Sequence, residues 1–258
     1  MFVSACGPEA TPFPVDVPSE VSISSLAEQK TIRYALAPNV GGVIQDSGLV
    51  EASVELEQMD EDINLSDLGN RFDIAVAYGN LTGGTQSPIL QNVALVINPN
   101  ALSWQDATIL NIFRDSLRPD AFTQEMDIDG IVRAETSSSI SPAEVRSLLA
   151  NAGWPDGLSF NLGDSYVPGG EVITKQWQSA GISAKQISMS SDELQIALEN
   201  GLLQAALIVW TNAEVRAKWV GQFGPENVVD LYTVPISFIA IPELTITYTP
   251  SGWPIPAY

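Results

Sequence analysis

The chain has 258 residues, 45% of them hydrophobic, enough to bury a full core as one large domain or as two lobes of ordinary size. Its 11 basic and 31 acidic residues leave a formal charge of −20, which opposes nucleic acid and anionic membrane surfaces as partners. There is no histidine and one cysteine, which removes Ser-His-Asp and Cys-His catalysis, His-ligated or four-cysteine metal sites, and an internal disulfide.

The N-terminus reads "FVSACG", followed by a polar stretch with prolines at positions 8, 12, 14 and 18. Val3-Ser4-Ala5-Cys6 resembles the small-residue lipobox of bacterial lipoproteins, with Cys6 as the lipid attachment point. Only five residues precede Cys6, fewer than the roughly 7 to 15 apolar residues of a secretory h-region, so the leader is expected to be truncated. Residues 1–24 are therefore read as leader remnant and Pro-rich tether. No segment approaches the ~20 apolar residues of a transmembrane helix.

From Thr31 the chain predicts a strand in "TIRYALAP", a second in "ASVELEQM", a short helix in "NLSDLGN" and a buried strand in "FDIAVAYGN". Another strand, "QNVALVINPN", precedes a helix in "SWQDATILNIFRDSL" with a serine N-cap. The helix "SPAEVRSLLANAGW" has Ser141 as N-cap, Pro142 in the first turn, Glu144 as capping-box partner and Gly153 as stop. Strand "LSFNL", helix "GGEVITKQWQSAG", strand "SAKQISM", helix "SDELQIALENG", strand "QAALIVW" and helix "NAEVRAKWVGQF" then alternate. Ser190 or Ser191 caps the helix at 191. This alternation predicts an α/β fold with mostly parallel sheets flanked by helices. "VVDLYTVPISFIAIP" and "LTITYTP" are strands suited to a return across a sheet.

"SPAEVRSLLANAGWPDGLSFNL" and the segment from Gly169 to Trp210 resemble bacterial extracytoplasmic solute-binding proteins of the peptide-binding type. "FDIAVAYGN" with "SPILQNVALVINPNALSWQDATILNIF" is similar to the shorter type II periplasmic binding proteins. The chain is much shorter than the peptide-binding type and has no room for its extra domain. The resemblance implies a periplasmic-binding-protein-like fold of two lobes joined by two hinge strands. Lobe one would be residues 25–92 plus 229–258, and lobe two residues 99–228. Val93–Asn98 and Asp230–Ser237 would be the hinges. It also implies a small-molecule ligand between the lobes, an ABC-type permease as partner, and an extracytoplasmic place with membrane contact only through the lipid on Cys6. The chain is expected to be a monomer without a cofactor.

Open parallel sheets bind ligands beyond the carboxyl ends of their strands. That rule selects Pro38 and Asn39, then Tyr78, Asn80, Thr82 and Ser87, then Asp164, Ser165 and Tyr166, and finally Trp210, Thr211 and Asn212. Aromatics supply stacking area and the polar groups supply oriented hydrogen bonds. Asn39 and Asn80 also suit ordinary turns, and Trp210 a core position.

Gly163-Asp164-Ser165 resembles a nucleophile turn, but Ser165 needs a base and no histidine can supply it. The lysines are Lys30, Lys175, Lys185 and Lys218, and Lys175 lies in a helix body that points away from the strand exits. The closely spaced acids of "MDIDG" and "QMDEDIN" lack the pattern of a calcium loop. Binding without chemistry is the expected function. The alternatives are a two-lobed sensory or scaffold protein and a histidine-free hydrolase.

Overall fold

The computed structural model describes residues 30–40, 54–60, 62–101, 107–135 and 140–258. Cys6, the Pro-rich tether and the expected cap at Ser103 lie outside them. Thr31–Tyr258 forms one compact unit.

The strands are β1 (Ile32–Leu36), β2 (Val54–Gln58), β3 (Ile74–Tyr78), β4 (Thr85–Gln86), β5 (Gln91–Ile97), β6 (Val132–Arg133), β7 (Leu158–Asp164), β8 (Ile182–Ser188), β9 (Ala205–Trp210), β10 (Val228–Val234), β11 (Ile236–Ala240), β12 (Thr245–Tyr248) and β13 (Pro254–Ala257). The helices are α1 (Ala107–Asp115), α2 (Pro119–Glu125), α3 (Pro142–Asn151), α4 (Gly170–Ser179), α5 (Ser191–Glu199) and α6 (Ala213–Phe223). The helix expected in "NLSDLGN" is a single 3-10 turn, Leu65–Asp67, because Asn64 accepts from the Ser66 N–H and the chain turns extended at Leu68. The short elements α2, β4, β6 and β13 lack the length and periodicity that would predict them.

One sheet has the order β2-β1-β3-β11-β4 and the other β6-β10-β5-β9-β7-β8. Each contains three parallel strands, β2-β1-β3 and β9-β7-β8. Each is then extended by antiparallel strands, so the sheets are mixed. β5 and β10, which cover most of the expected hinges, pair with each other inside the six-stranded sheet. The chain passes between sheets at Pro235 and through residues 87–90. Pro235 has no N–H to donate to a ladder, and its carbonyl accepts from the Gly79 N–H at 2.8 Å. β12, expected to return across a sheet, pairs instead with β13 in a separate hairpin.

The centre of the six-stranded sheet is buried on both faces, as the alternation along β5 and β9 shows. Val93, Leu95, Ile97, Ala205 and Leu207 belong to the main core, whereas Ala94, Val96, Ala206 and Ile208 pack with Leu194, Leu198, Trp219 and Phe223 of α5 and α6. α3 is capped by Ser141, which accepts from the Glu144 N–H at 3.2 Å. α5 is capped by Ser190 in a reciprocal box with Glu193. Far from the strand exits, buried Asp73 accepts from the Arg33 backbone and guanidinium and locks the start of β1 to that of β3.

Candidate functional site

Strand register brings the carboxyl ends of both parallel triplets to the crossover. Trp210, at the end of β9, pairs with Asn92 at the start of β5; Gln91 pairs with Val234 at the end of β10; and Ile236, just beyond Pro235, pairs with Tyr78 at the end of β3. Asp164, at the end of β7, pairs with Leu207 of β9 and Ser188 of β8. The exits of β3, β7, β8 and β9 therefore gather where the chain passes between the sheets, the position at which such sheets bind ligands.

Two cavities open there. The first, ≈ 370 Å³, is lined by Tyr78, Ser165, Trp210 and Thr211 of the expected residues, joined by Gln91, Ser191, Asp192, Val209, Val215, Ser251 and Trp253. Tyr78 and Trp253 are both buried and meet edge-on, with ring centroids 5.6 Å apart at 75°. Trp253 and Ser251 come from the turn before β13, which folds back so that the Gln91 amide donates to the Ser251 carbonyl. Tyr34 donates to the Pro254 carbonyl at 3.2 Å and holds the next residue in place. Burial pushes the Tyr78 phenol far above its ordinary value, so it remains a neutral group.

The second cavity, ≈ 560 Å³, is lined by Pro38, Asp164 and Tyr166 of the expected residues, with Met126, Ile128, Gln186, Ser188 and the start of α4. Asp164 is 3% exposed. Its carboxylate accepts from the Val167 N–H at 2.9 Å and from the Gln186 amide. Burial outweighs these hydrogen bonds and raises its pKa above the ordinary carboxylate value. Glu125 and Glu171 lie on the same cavity, and its described lining contains no Lys or Arg. Gly170 permits the close approach, because a Cβ there would stand 2.5 Å from Gln186 Nε2 and 3.1 Å from Asp164 Oδ2. Tyr166, on the second cavity, has φ +58°, an uncommon left-handed backbone for a side chain of its size.

The remaining expected residues have other work. Asn80 donates to Asp129 and accepts from Gln86 in an exposed network, and Thr82 is exposed on a turn. Neither lines a cavity described above. Ser87 is buried, and its hydroxyl accepts from the Ile89 N–H within the crossover. Asn39 lies in the 3-10 turn Pro38–Val40 at the exit of β1. Asn212 is the N-cap of α6, accepting from the Glu214 and Val215 N–H groups at 3.1 and 3.0 Å. Asn212→Ala is expected to lower stability by about 1 kcal/mol, with Asn212→Asp close to wild type, in urea unfolding.

The Ser165 hydroxyl donates to the Leu207 carbonyl at 3.4 Å. Lys175, its candidate base, lines a separate groove with Arg118 and Gln176, which shares Glu125, Glu171 and Val172 with the second cavity and does not include Ser165. Among the described residues, no three His, Cys, Asp or Glu side chains group to hold a metal ion, and no helix is long and apolar enough to cross a membrane.

No model of a known protein family and no curated protein matches the chain. Solved structures do. The solute-binding protein MoaA of A. tumefaciens R10, in complex with mannopinic acid, matches with TM-score 0.53 and 11% identity over 74% of this chain and 55% of its own. The dipeptide-binding protein of Pseudoalteromonas sp. SM9913, in complex with Met-Leu, gives 0.52 and 11% over 74% and 50%. Haemophilus influenzae OppA, in complex with the peptide RPPGFSPFR, gives 0.50 and 12% over 74% and 54%. The chain thus has the α/β fold of the periplasmic solute-binding proteins, as its sequence resemblance implied. It spans about half the length of these structures.

Proposed function

We propose that the protein captures a small solute between its two sheets and presents it to an ABC-type permease outside the cytoplasm, by binding and without chemistry. The observation that carries this reading is that adjacent residues Asp164 and Ser165 line one cavity each, where strand exits from both sheets converge on the crossover. Residues 87–90 and Pro235 are then the hinges about which two lobes close. Lobe one is the five-stranded sheet with the C-terminal hairpin, and lobe two the six-stranded sheet. The fold shared with periplasmic solute-binding proteins supports the place and the role. The lipobox-like Cys6 supports a lipid anchor on a monomeric protein.

A thermal-shift screen against amino acids, short peptides, sugars, polyamines, aromatic amines and oxyanions tests the capture. A solute that binds only the folded state raises Tm as its concentration passes its Kd. A melting point unmoved by every class would remove solute capture. Anchoring is read from incorporation of an alkyne-labelled fatty acid in cells, with Cys6→Ser expected to abolish it.

A further inference from the structure

The first cavity differs from the second in what its walls are made of. Tyr78, Trp253 and Trp210 give it three aromatic surfaces, and Val209 and Val215 add aliphatic ones. Trp210 is set in advance. The Arg216 guanidinium stands 5.9 Å from its ring centroid, and Arg216 is itself fixed by hydrogen bonds to Asp230 at 2.8 and 3.2 Å. A rigid aromatic wall binds a flat ring with little ordering cost.

Polar side chains line it too, Gln91, Ser165, Ser191, Asp192, Thr211 and Ser251, and some are already engaged. Gln91 donates to Ser251, and the Ser165 hydroxyl to Leu207. The Trp210 N–H is buried without a partner among the described residues. The face of an aromatic solute, or a heteroatom in its ring, can accept the Trp210 N–H. At the mouth, the exposed Asp192 carboxylate stands in a lining with no described Lys or Arg, on a protein of charge −20.

We propose that this cavity selects a solute bearing an aromatic ring and an ammonium group, with the ring held among Trp210, Trp253 and Tyr78 and the ammonium directed to Asp192. The proposal rests on the solute-capture reading and narrows its substrate class.

The test uses tryptamine, tyramine and phenethylamine, with indole-3-propionate, propylamine and glucose as controls, in thermal shift and calorimetry. At least one aromatic amine is expected to raise Tm. Tryptamine should bind about fivefold more tightly than indole-3-propionate, the size of one exposed ion pair, and propylamine and glucose should give no shift. Val215→Trp fills the cavity from a position on α6 that is 37% exposed, so it spares the core; it should weaken the aromatic amine at least tenfold. Trp253→Ala should do the same, and Asp192→Asn should erase the preference over indole-3-propionate. No shift from any of the three amines, equal binding of indole-3-propionate, or binding indifferent to Val215→Trp would each overturn the proposal. A shift from sugars or peptides alone would overturn it and leave solute capture standing, whereas silence across the whole screen removes both.

Discussion

Trp177→Ala is expected to lower the unfolding free energy by about 3–5 kcal/mol, the range for truncating a large buried aromatic. In a chain of this size that is a fall in Tm of roughly 6–20 °C. Trp177, on α4, is fully buried, and its ring lies 4.7 Å from Phe113 of α1 and 5.5 Å from Phe160 of β7. Phe113 and Phe160 meet edge-on at 5.1 Å, so the three rings close a triangle joining two helices to the sheet. Alanine removes two of its three sides, each such pair adding about 0.5–1.5 kcal/mol beyond area, and leaves a void the rigid strand cannot collapse. Trp177→Phe should cost less, because it keeps a ring and discards an indole N–H that has no partner among the described residues. The start of α4 also walls the second cavity, so the alanine variant should open amide exchange at Gly170–Val172 before the sheet melts. A Tm within about 2 °C of wild type would mean that the triangle does not anchor α4.

The fold was legible where local chemistry and burial agree. The Ser141 cap, the apolar runs of β5 and β9, and the strand-helix rhythm from 158 to 223 all follow from residues a few positions apart. The site was legible only in part, because a polar residue at a strand exit looks the same whether it meets a ligand or satisfies its own backbone. Asn212 fills the orphan N–H groups of α6, Ser87 closes its own turn, and Asn80 ties to Asp129, 49 residues away. Tyr78, Asp164, Ser165 and Trp210 reach the cavities because the register of β5, β10 and β11 draws their strand ends together. Gln91 and Trp253 escaped notice for a related reason. The turn that carries Trp253 reaches the crossover through a contact 160 residues apart in sequence, for which no local pattern exists. The mixed sheets were also hidden, since a strand buried on both faces reads the same in either direction.

Asp164→Asn is expected to stabilise the protein at neutral pH and weaken its hold on solute. Burial raises the folded pKa of Asp164 above its unfolded value, so the folded state keeps a proton that the unfolded state releases first. The stability this gives is full below the unfolded pKa and is lost as pH rises through the folded one. Near its carboxylate stand the buried phenols of Tyr78 and Tyr232, both pushed upward and neutral, and the Gln186 amide; the described lining of its cavity holds no Lys or Arg to offset the charge. Asparagine keeps an acceptor for the Val167 N–H, and Gln186 can turn its own oxygen toward the new amide. The variant should therefore exceed wild type by about 1 kcal/mol at pH 7–8, a common size for a stability–function trade, and converge with it near pH 4. On the solute-capture proposal, this carboxylate serves a charge or donor that the solute brings to the second cavity. Affinity for a solute found in the screen should fall at least tenfold in the variant. A lower Tm at pH 7–8 with affinity intact would instead assign the carboxylate to holding the Asp164–Val167 turn.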